Sequence, residues 1–157
     1  MRDDDRGVSA TVSYALILGI VALLTAGLVA GFAPFVADQQ HDATHSMLEV
    51  LGNDLAGDVD SADRLATTAG DGGTVELRTR LPDRVGGSPY EIELENATDG
   101  PERYEYRIEL RSKEPETTAR VDVRTQRPIE AEPDVLDGRN LEIVYDADEN
   151  GLVIRDV

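Results

Sequence analysis

The feature that most constrains this chain is a long apolar run close to its N-terminus. Residues 8–37 contain no Asp, Glu, Lys or Arg and are rich in Leu, Val, Ala and Gly. A helix needs about 20 apolar residues to cross a bilayer whose hydrocarbon core is about 30 Å thick. At about 1.5 Å per residue, this run would form a helix roughly 45 Å long. It is therefore predicted to be a hydrophobic transmembrane helix with length to spare.

The charge balance of the chain is strongly acidic. Its 157 residues include 32 Asp and Glu but only 15 Lys and Arg, which gives a formal charge of −17, and Lys113 is its single lysine. Because the chain has no basic patch to displace counterions from phosphates, it is not expected to bind nucleic acid. Such a composition resembles that of salt-accumulating halophilic archaea, since molar salt shortens the Debye length to about 3 Å and screens self-repulsion. Without cysteine, the chain has no disulfide framework.

Seven residues, MRDDDRG, precede the apolar run and form a short charged N-terminal segment. A secretory signal peptide would have an apolar core of about 7–15 residues followed by a small-residue cleavage site. The run here is about twice that length and ends without such a site. The plain interpretation is an uncleaved membrane anchor, with the remainder of the chain outside the cell.

The sequence around the start of the run, RGVSATVSYALILGIVALL, resembles archaeal type IV pilins and pilin-like proteins, in particular the haloarchaeal members. The resemblance implies that residues 1–7 are a leader peptide. It also implies that a prepilin-type peptidase cuts between Gly7 and Val8, so that the apolar helix is kept. Many haloarchaeal pilins have proline where this chain has Ala10, so the chain is more similar to the pilin-like proteins than to the main adhesive pilins.

Small residues recur within the run at the spacing of one helical turn. In lipid, hydrophobicity does not favour a neighbouring helix over a lipid tail, so close approach of two backbones supplies the contact energy. The sequence therefore predicts helix–helix packing, and the resemblance implies that this packing joins subunits in a filament core. The candidate packing residues are Ala15, Gly19, Ala22, Ala26, Gly27, Ala30 and Gly31.

Residues 38–69 are predicted to continue as an amphipathic helix. Gly52 and Gly57 interrupt it, each at a cost of up to about 1 kcal/mol relative to alanine, and the glycines that begin at Gly70 should end it. The acidic residues, including Asp63, are assigned mostly to the other faces. Apolar residues at steps of three or four mark the core-facing stripe: Leu48, Leu51, Leu55, Val59, Ala62, Ala66 and Ala69.

From residue 74 onward the apolar residues alternate with charged ones, as in strands with one buried and one solvated face. Six such runs are separated by Gly, Pro and Asp turn signals. Residues 74–157 are therefore predicted to form a β-rich extracellular head domain. The expected fold class is α+β: a long N-terminal helix, hydrophobic and then amphipathic, packed on one small antiparallel sheet of five or six strands, as in pilins.

Two short motifs in the head domain are candidate sites. Asn96 begins the triplet Asn-Ala-Thr, an N-glycosylation acceptor if the loop is exported. Asp146, Asp148 and Asn150, followed by Gly151, match the first half of a calcium-binding loop. The closing glutamate is missing, and a polar hairpin turn accounts for the same residue types.

No convergent set of catalytic residues and no cofactor motif is recognisable, so the chain is not expected to be an enzyme. The predicted function is an exported structural subunit of a type IV pilus-like surface filament, acting in adhesion or as a surface appendage. The alternative is a membrane-anchored extracellular binding or accessory domain that does not polymerise. The expected partners are the membrane, the prepilin-type peptidase, and further copies or other pilin-like subunits. The expected location is the cell membrane, with the C-terminal domain extracellular, or an extracellular filament.

Overall fold

A computed structural model describes residues 4–70, 73–97, 104–147 and 149–157, and the side chains of residues 4–11 and 33 lie outside this description. The chain divides into two compact units, Met1–Gln39 and Gln40–Val157. Helix α1, Asp4–Ala69, contributes to both. The predicted boundary between the hydrophobic and amphipathic parts, after residue 37, lies two residues before this division.

In the first unit, α1 has no protein core around it. All of its described side chains from residue 12 to residue 39 are exposed to solvent. An 18-residue window has a mean hydropathy of 2.5, and none of that window is buried. By length and composition, this is the one helix in the described part of the chain that is long and apolar enough to cross a membrane.

In the second unit, α1 buries one side. Five residues of the predicted stripe are at most 1% exposed: Leu48, Leu55, Val59, Ala62 and Ala66. Leu51 is half-buried, whereas Ala69 is exposed because the helix ends there. Gly70 follows with a φ of +67°, the left-handed conformation that commonly terminates helices. The amphipathic helix and its glycine stop are confirmed.

The described residues after the helix form eight strands in two four-stranded sheets. The first sheet has the order β1-β7-β8-β5, in which β5 and β8 are parallel, and the second has the order β4-β3-β2-β6 and is antiparallel throughout. The strands are β1 Glu76–Arg80, β2 Tyr90–Asn96, β3 Tyr104–Lys113, β4 Glu116–Thr125, β5 Ile129–Glu132, β6 Val135–Leu136, β7 Asn140–Asp146 and β8 Gly151–Asp156.

The predicted α+β class is confirmed, but the prediction of a single antiparallel sheet of five or six strands is wrong. The six alternating runs correspond to β1, β2, β3, β4, β7 and β8. The two missed strands, β5 and β6, have four and two residues, too few to display an alternation. They also divide the head: β5 pairs with β8 in the first sheet, and β6 pairs with β2 in the second.

The two sheets and the helix of the second unit share one core. The hydroxyl oxygen of Tyr106 on β3 accepts a hydrogen bond from the backbone N–H of Ile129 on β5, at 2.8 Å, and so links the sheets. Helix α1 approaches the second sheet closely at Gly52, where an added Cβ would lie 2.8 Å from Val121 Cγ2. It contacts the first sheet through Asp58, whose Oδ2 accepts a 2.6 Å hydrogen bond from Thr79 Oγ1.

Each sheet also holds a nearly buried glutamate between arginines on the face opposite the core. In the first sheet, Glu142 lies between Arg155 and Arg78 of the neighbouring strands, and their hydrogen bonds hold the pKa of Glu142 below its usual range. In the second sheet, Glu109 accepts hydrogen bonds from Arg111 and Arg120, which likewise lower its pKa. These pairs satisfy carboxylates that would otherwise be costly to bury, and they help to fix the strand registers.

Candidate functional site

The strongest candidate for a functional surface is the exposed apolar part of α1 in the first unit. Leu23 and Leu24 are 75% and 69% exposed, which is unusual for large apolar side chains on consecutive positions. Thr25, a polar side chain in this segment, donates a hydrogen bond of 2.9 Å from Oγ1 to the carbonyl oxygen of Val21. The hydroxyl is therefore satisfied within the helix, as a side chain in a lipid environment requires.

The predicted small packing residues lie on this segment and are all exposed. At about 100° per residue, they fall on two faces of the helix rather than one. Five of the seven residues form a first face, and Gly27 and Gly31 form a second face about 120° around the helix from it. At Gly19, Gly27 and Gly31, an added Cβ would meet nothing within 4 Å, so the space beside these glycines is open. The first face consists of Ala15, Gly19, Ala22, Ala26 and Ala30.

The predicted processing site falls at the edge of the described structure. Gly7 and Val8 lie within the bounds of α1, but their side chains are outside the described residues. Cleavage between them therefore stays a prediction from the sequence.

The predicted glycosylation site lies at the far end of the β2–β3 hairpin. Asn96 is the last residue of β2, is exposed, and pairs in register with Tyr106. Thr98, which completes the acceptor triplet, lies outside the described residues. The exposure of Asn96 is compatible with modification, which remains a prediction.

The candidate calcium loop forms the connection between β7 and β8. The Oδ1 atom of Asn150 accepts hydrogen bonds from Arg127 Nε, at 3.2 Å, and from the Tyr145 hydroxyl, at 3.1 Å. A guanidinium at this distance repels a divalent cation, so the contacts of Asn150 favour the polar hairpin turn. The Oδ1 atom of Asp146 accepts a hydrogen bond from the Glu149 backbone N–H, as in such turns.

Asp148 lies outside the described residues, so the three predicted calcium ligands cannot be placed together. Among the residues that are described, no group of three or more His, Asp or Glu side chains is arranged to hold a metal ion. Calcium binding at this loop remains an untested prediction from the partial motif.

A buried ion pair in the second unit was missed by the sequence analysis. The side chains of Asp63 and Arg127 are only 4% and 15% exposed, and Arg127 Nη1 lies 3.1 Å from Asp63 Oδ1. Asp63 Oδ2 also accepts a hydrogen bond from the Gln126 backbone N–H, at 2.9 Å. The guanidinium lies over the Tyr145 ring, 5.4 Å from its centroid. The pair attaches the end of α1 to the β4–β5 connection and to the β7–β8 turn.

Asp63 is therefore an exception to the expectation that the acidic residues of the amphipathic helix lie mostly on its other faces. One signal was available: Asp63 follows Val59 by four residues and precedes Ala66 by three, which places it on the core-facing stripe. A charged residue at such a position indicates a buried partner. The sequence did not identify Arg127 as that partner, because 63 residues separate Asp63 from the Gln126 N–H and 64 separate it from Arg127.

These observations define a class of protein: an α+β chain with an exposed apolar N-terminal helix, long enough to cross a membrane, and a head of two sheets packed on the rest of that helix. The chain belongs to a family described as a family of unknown function, DUF7266, whose model matches residues 3–155. No curated protein and no solved structure matches the chain.

Proposed function

We propose that the chain is an exported, membrane-anchored structural subunit of a type IV pilus-like surface filament, and that a prepilin-type peptidase removes residues 1–7. The observation that carries the proposal is the contrast between the two units. The second unit has its own core, whereas all described side chains from residue 12 to residue 39 are exposed. The apolar segment is therefore available for partners outside the chain.

The exposed apolar surface is too large to be left in water, which limits the partners that can cover it. Leaving one leucine in water rather than burying it costs about 1.5–3 kcal/mol, and the segment exposes five leucines, at positions 16, 18, 23, 24 and 28, together with several Val, Ile and Phe side chains. Lipid tails or the helices of other subunits must cover this surface. Lipid would cover the helix before assembly, and neighbouring helices would replace lipid in a filament.

The two small-residue faces favour assembly over simple anchoring. A lone anchor needs no close packing, and a dimer needs only one face. Two faces about 120° apart allow each helix to contact two different neighbours, as a head-to-tail helical assembly requires. Exposed alanine and glycine allow the close backbone approach on which packing in lipid depends.

The first test is the N-terminus of the protein purified from its native membrane. Intact-mass and N-terminal peptide mass spectrometry should find Val8 as the first residue. A mature chain that begins at Met1 or Arg2 would show that no prepilin-type processing takes place. A chain that begins after Ala33 or Ala37 would show that the apolar helix is discarded, and it would end the proposal.

The second test separates a filament subunit from a non-polymerising anchored domain. Shearing of cells should release the processed protein in filaments, and Gly27→Leu or Gly31→Leu should abolish those filaments while membrane insertion stays normal. Thr25→Leu is the matched control, because it adds bulk about 140° around the helix from the face of Gly27 and Gly31. A processed protein that never enters the sheared fraction would instead identify an accessory domain.

A further inference from the structure

Strand β4 is an edge strand along its whole length. It pairs with β3 through ten residue pairs, from Glu116 opposite Lys113 to Thr125 opposite Tyr104, and it has no second strand partner among the described residues. In an antiparallel ladder, alternate residues direct their backbone N–H and C=O groups away from the paired strand. The outer side of β4 therefore offers hydrogen-bonding groups to another strand.

The side chains on the face of β4 opposite the core alternate in sign. Arg120, Asp122 and Arg124 follow one another at two-residue intervals, and each is exposed. An edge with charges of one sign repels a copy of itself, and proteins use such edges to prevent association. An edge with alternating charges is different, because one register of self-pairing sets opposite charges against each other.

We propose that β4 pairs antiparallel with β4 of a second copy of this chain, across a two-fold axis at Val121. In this register Arg120 lies opposite Asp122 of the partner subunit, and Thr118 lies opposite Arg124 of the partner subunit. Opposite charges directly across a ladder stabilise it, and like charges destabilise it. The contact is isologous, so the favourable Arg–Asp pair occurs twice.

Neighbouring registers that keep the same faces together are unfavourable. Moving the axis to Arg120 sets Arg120 against itself across the axis, although it also places Glu116 opposite Arg124 of the partner subunit. Moving it to Asp122 sets Asp122 against itself and Arg120 against Arg124 of the partner subunit. The charges of β4 thus favour the axis at Val121, the one register of these three that sets no like charges opposite each other.

Existing ion pairs within the second sheet extend the pattern. Arg120 Nε lies 2.7 Å from Glu109 Oε2, and Arg107 Nε lies 3.0 Å from Asp122 Oδ1. Across the proposed axis, the row runs Glu109, Arg120, Asp122 of the partner subunit and Arg107 of the partner subunit, with a change of sign at each step. The second sheets of the two copies, four strands each, become one sheet of eight strands.

This contact joins head domains and uses no residue of the apolar segment, so it does not depend on the proposed packing of the membrane helices. Anchoring in a common membrane raises the local concentration of heads and favours the contact.

The test is disulfide cross-linking of the full-length protein in its membrane, since the chain has no native cysteine. The Thr118→Cys/Arg124→Cys variant should form a covalent dimer on mild oxidation. Each single-cysteine variant should form at least about tenfold less, because the same residue in the two copies would lie about 20 Å apart, whereas a disulfide needs Cα atoms within about 7 Å. The same separation within one chain prevents an internal disulfide.

A charge variant tests the selected register. Adding Asp122→Arg to the cysteine pair places arginine opposite Arg120 of the partner subunit, twice, and should reduce the dimer at least about tenfold, which corresponds to about 1.4 kcal/mol. The matched control is Glu105→Arg in the same background. It makes the same charge change one strand away from the edge and should leave the dimer.

Equal cross-linking in the single and double cysteine variants, or an equal yield with Asp122→Arg and Glu105→Arg, would overturn the proposal. If the cysteine variants do not fold, light scattering on the detergent-solubilised cysteine-free protein gives the same answer. There Asp122→Arg should convert a dimer into a monomer, and a dimer in both charge variants would refute the pairing. Gly27→Leu separates this contact from filament formation, because it should abolish filaments and leave the cross-link.

Discussion

The two glycines inside the amphipathic part of α1 should respond in opposite ways to alanine substitution. Alanine favours a helix over glycine by about 1 kcal/mol. At Gly57 an added Cβ meets nothing within 4 Å, so Gly57→Ala should gain that amount in the free energy of unfolding. At Gly52 it would lie 2.8 Å from Val121 Cγ2 and 2.9 Å from Leu110 Cδ1, well inside ordinary carbon–carbon contact at about 3.5–4.0 Å.

Overpacking of this kind costs about 1–3 kcal/mol, and the fully buried Leu110 has little room to move. After the gain in helix propensity, Gly52→Ala should therefore lose between about 0 and 2 kcal/mol. The two variants should differ by about 1–3 kcal/mol, which corresponds to roughly 4 °C in Tm for each kcal/mol.

The assay is thermal unfolding of the full chain in detergent at a fixed salt concentration, followed by the near-ultraviolet circular dichroism of its five tyrosines. If Gly52→Ala is as stable as Gly57→Ala, the close approach of α1 to β3 and β4 does not exist. If both variants are destabilised, the reasoning from helix propensity fails at Gly57.

Three further predictions concern the head domain. Arg127→Met should lower the free energy of unfolding by about 3–5 kcal/mol, because it leaves Asp63 buried without its partner. Lys113→Met, which removes the exposed ion pair with Glu91, should lower it by less than about 1 kcal/mol. Similar denaturant midpoints for the two variants would contradict this prediction. Tyr106→Phe should cost about 1–3 kcal/mol, because it removes the acceptor of a buried N–H, and Tyr104→Phe should stay within about 0.5 kcal/mol; equal Tm values would contradict it. The lowered pKa of Glu142 stabilises the fold above the ordinary glutamate pKa of about 4.3, and this stabilisation is lost as the pH falls through the lower folded-state value. Glu142→Gln should therefore unfold at a lower Tm than the unchanged protein at pH 7. Between about pH 5 and about pH 2 the variant should lose less stability than the unchanged protein. Acid titrations that run parallel for the two proteins would contradict this prediction.

Periodicity made much of the fold predictable. The stripe from Leu48 to Ala66 specified which side of α1 is buried, and the alternating runs specified six strands. The division into two sheets was not predictable in this way, because it depends on pairings between distant segments. The parallel pairing of Ile129–Glu132 with β8, for example, leaves no mark in the short run IEAE.

The candidate sites show the same limit. The spacing of Gly27 and Gly31 predicted a packing face, and helix geometry places that face about 120° around the helix from the first face of small residues. The motif at Asp146 suggested cation binding from residue types alone. The position of Arg127 beside Asn150, supplied by a distant segment, favours the alternative of a polar hairpin turn, and local sequence carried no sign of this contact.

The short step from β5 to β6 has a mechanical consequence. Only two residues, Pro133 and Asp134, lie between a strand of the first sheet and a strand of the second. Because the link is so short, a pulling force on either sheet is transmitted directly to the other. The two sheets cannot be pulled apart at this link unless the β5–β8 or β2–β6 ladder breaks first, so the head should resist such tension as a single body.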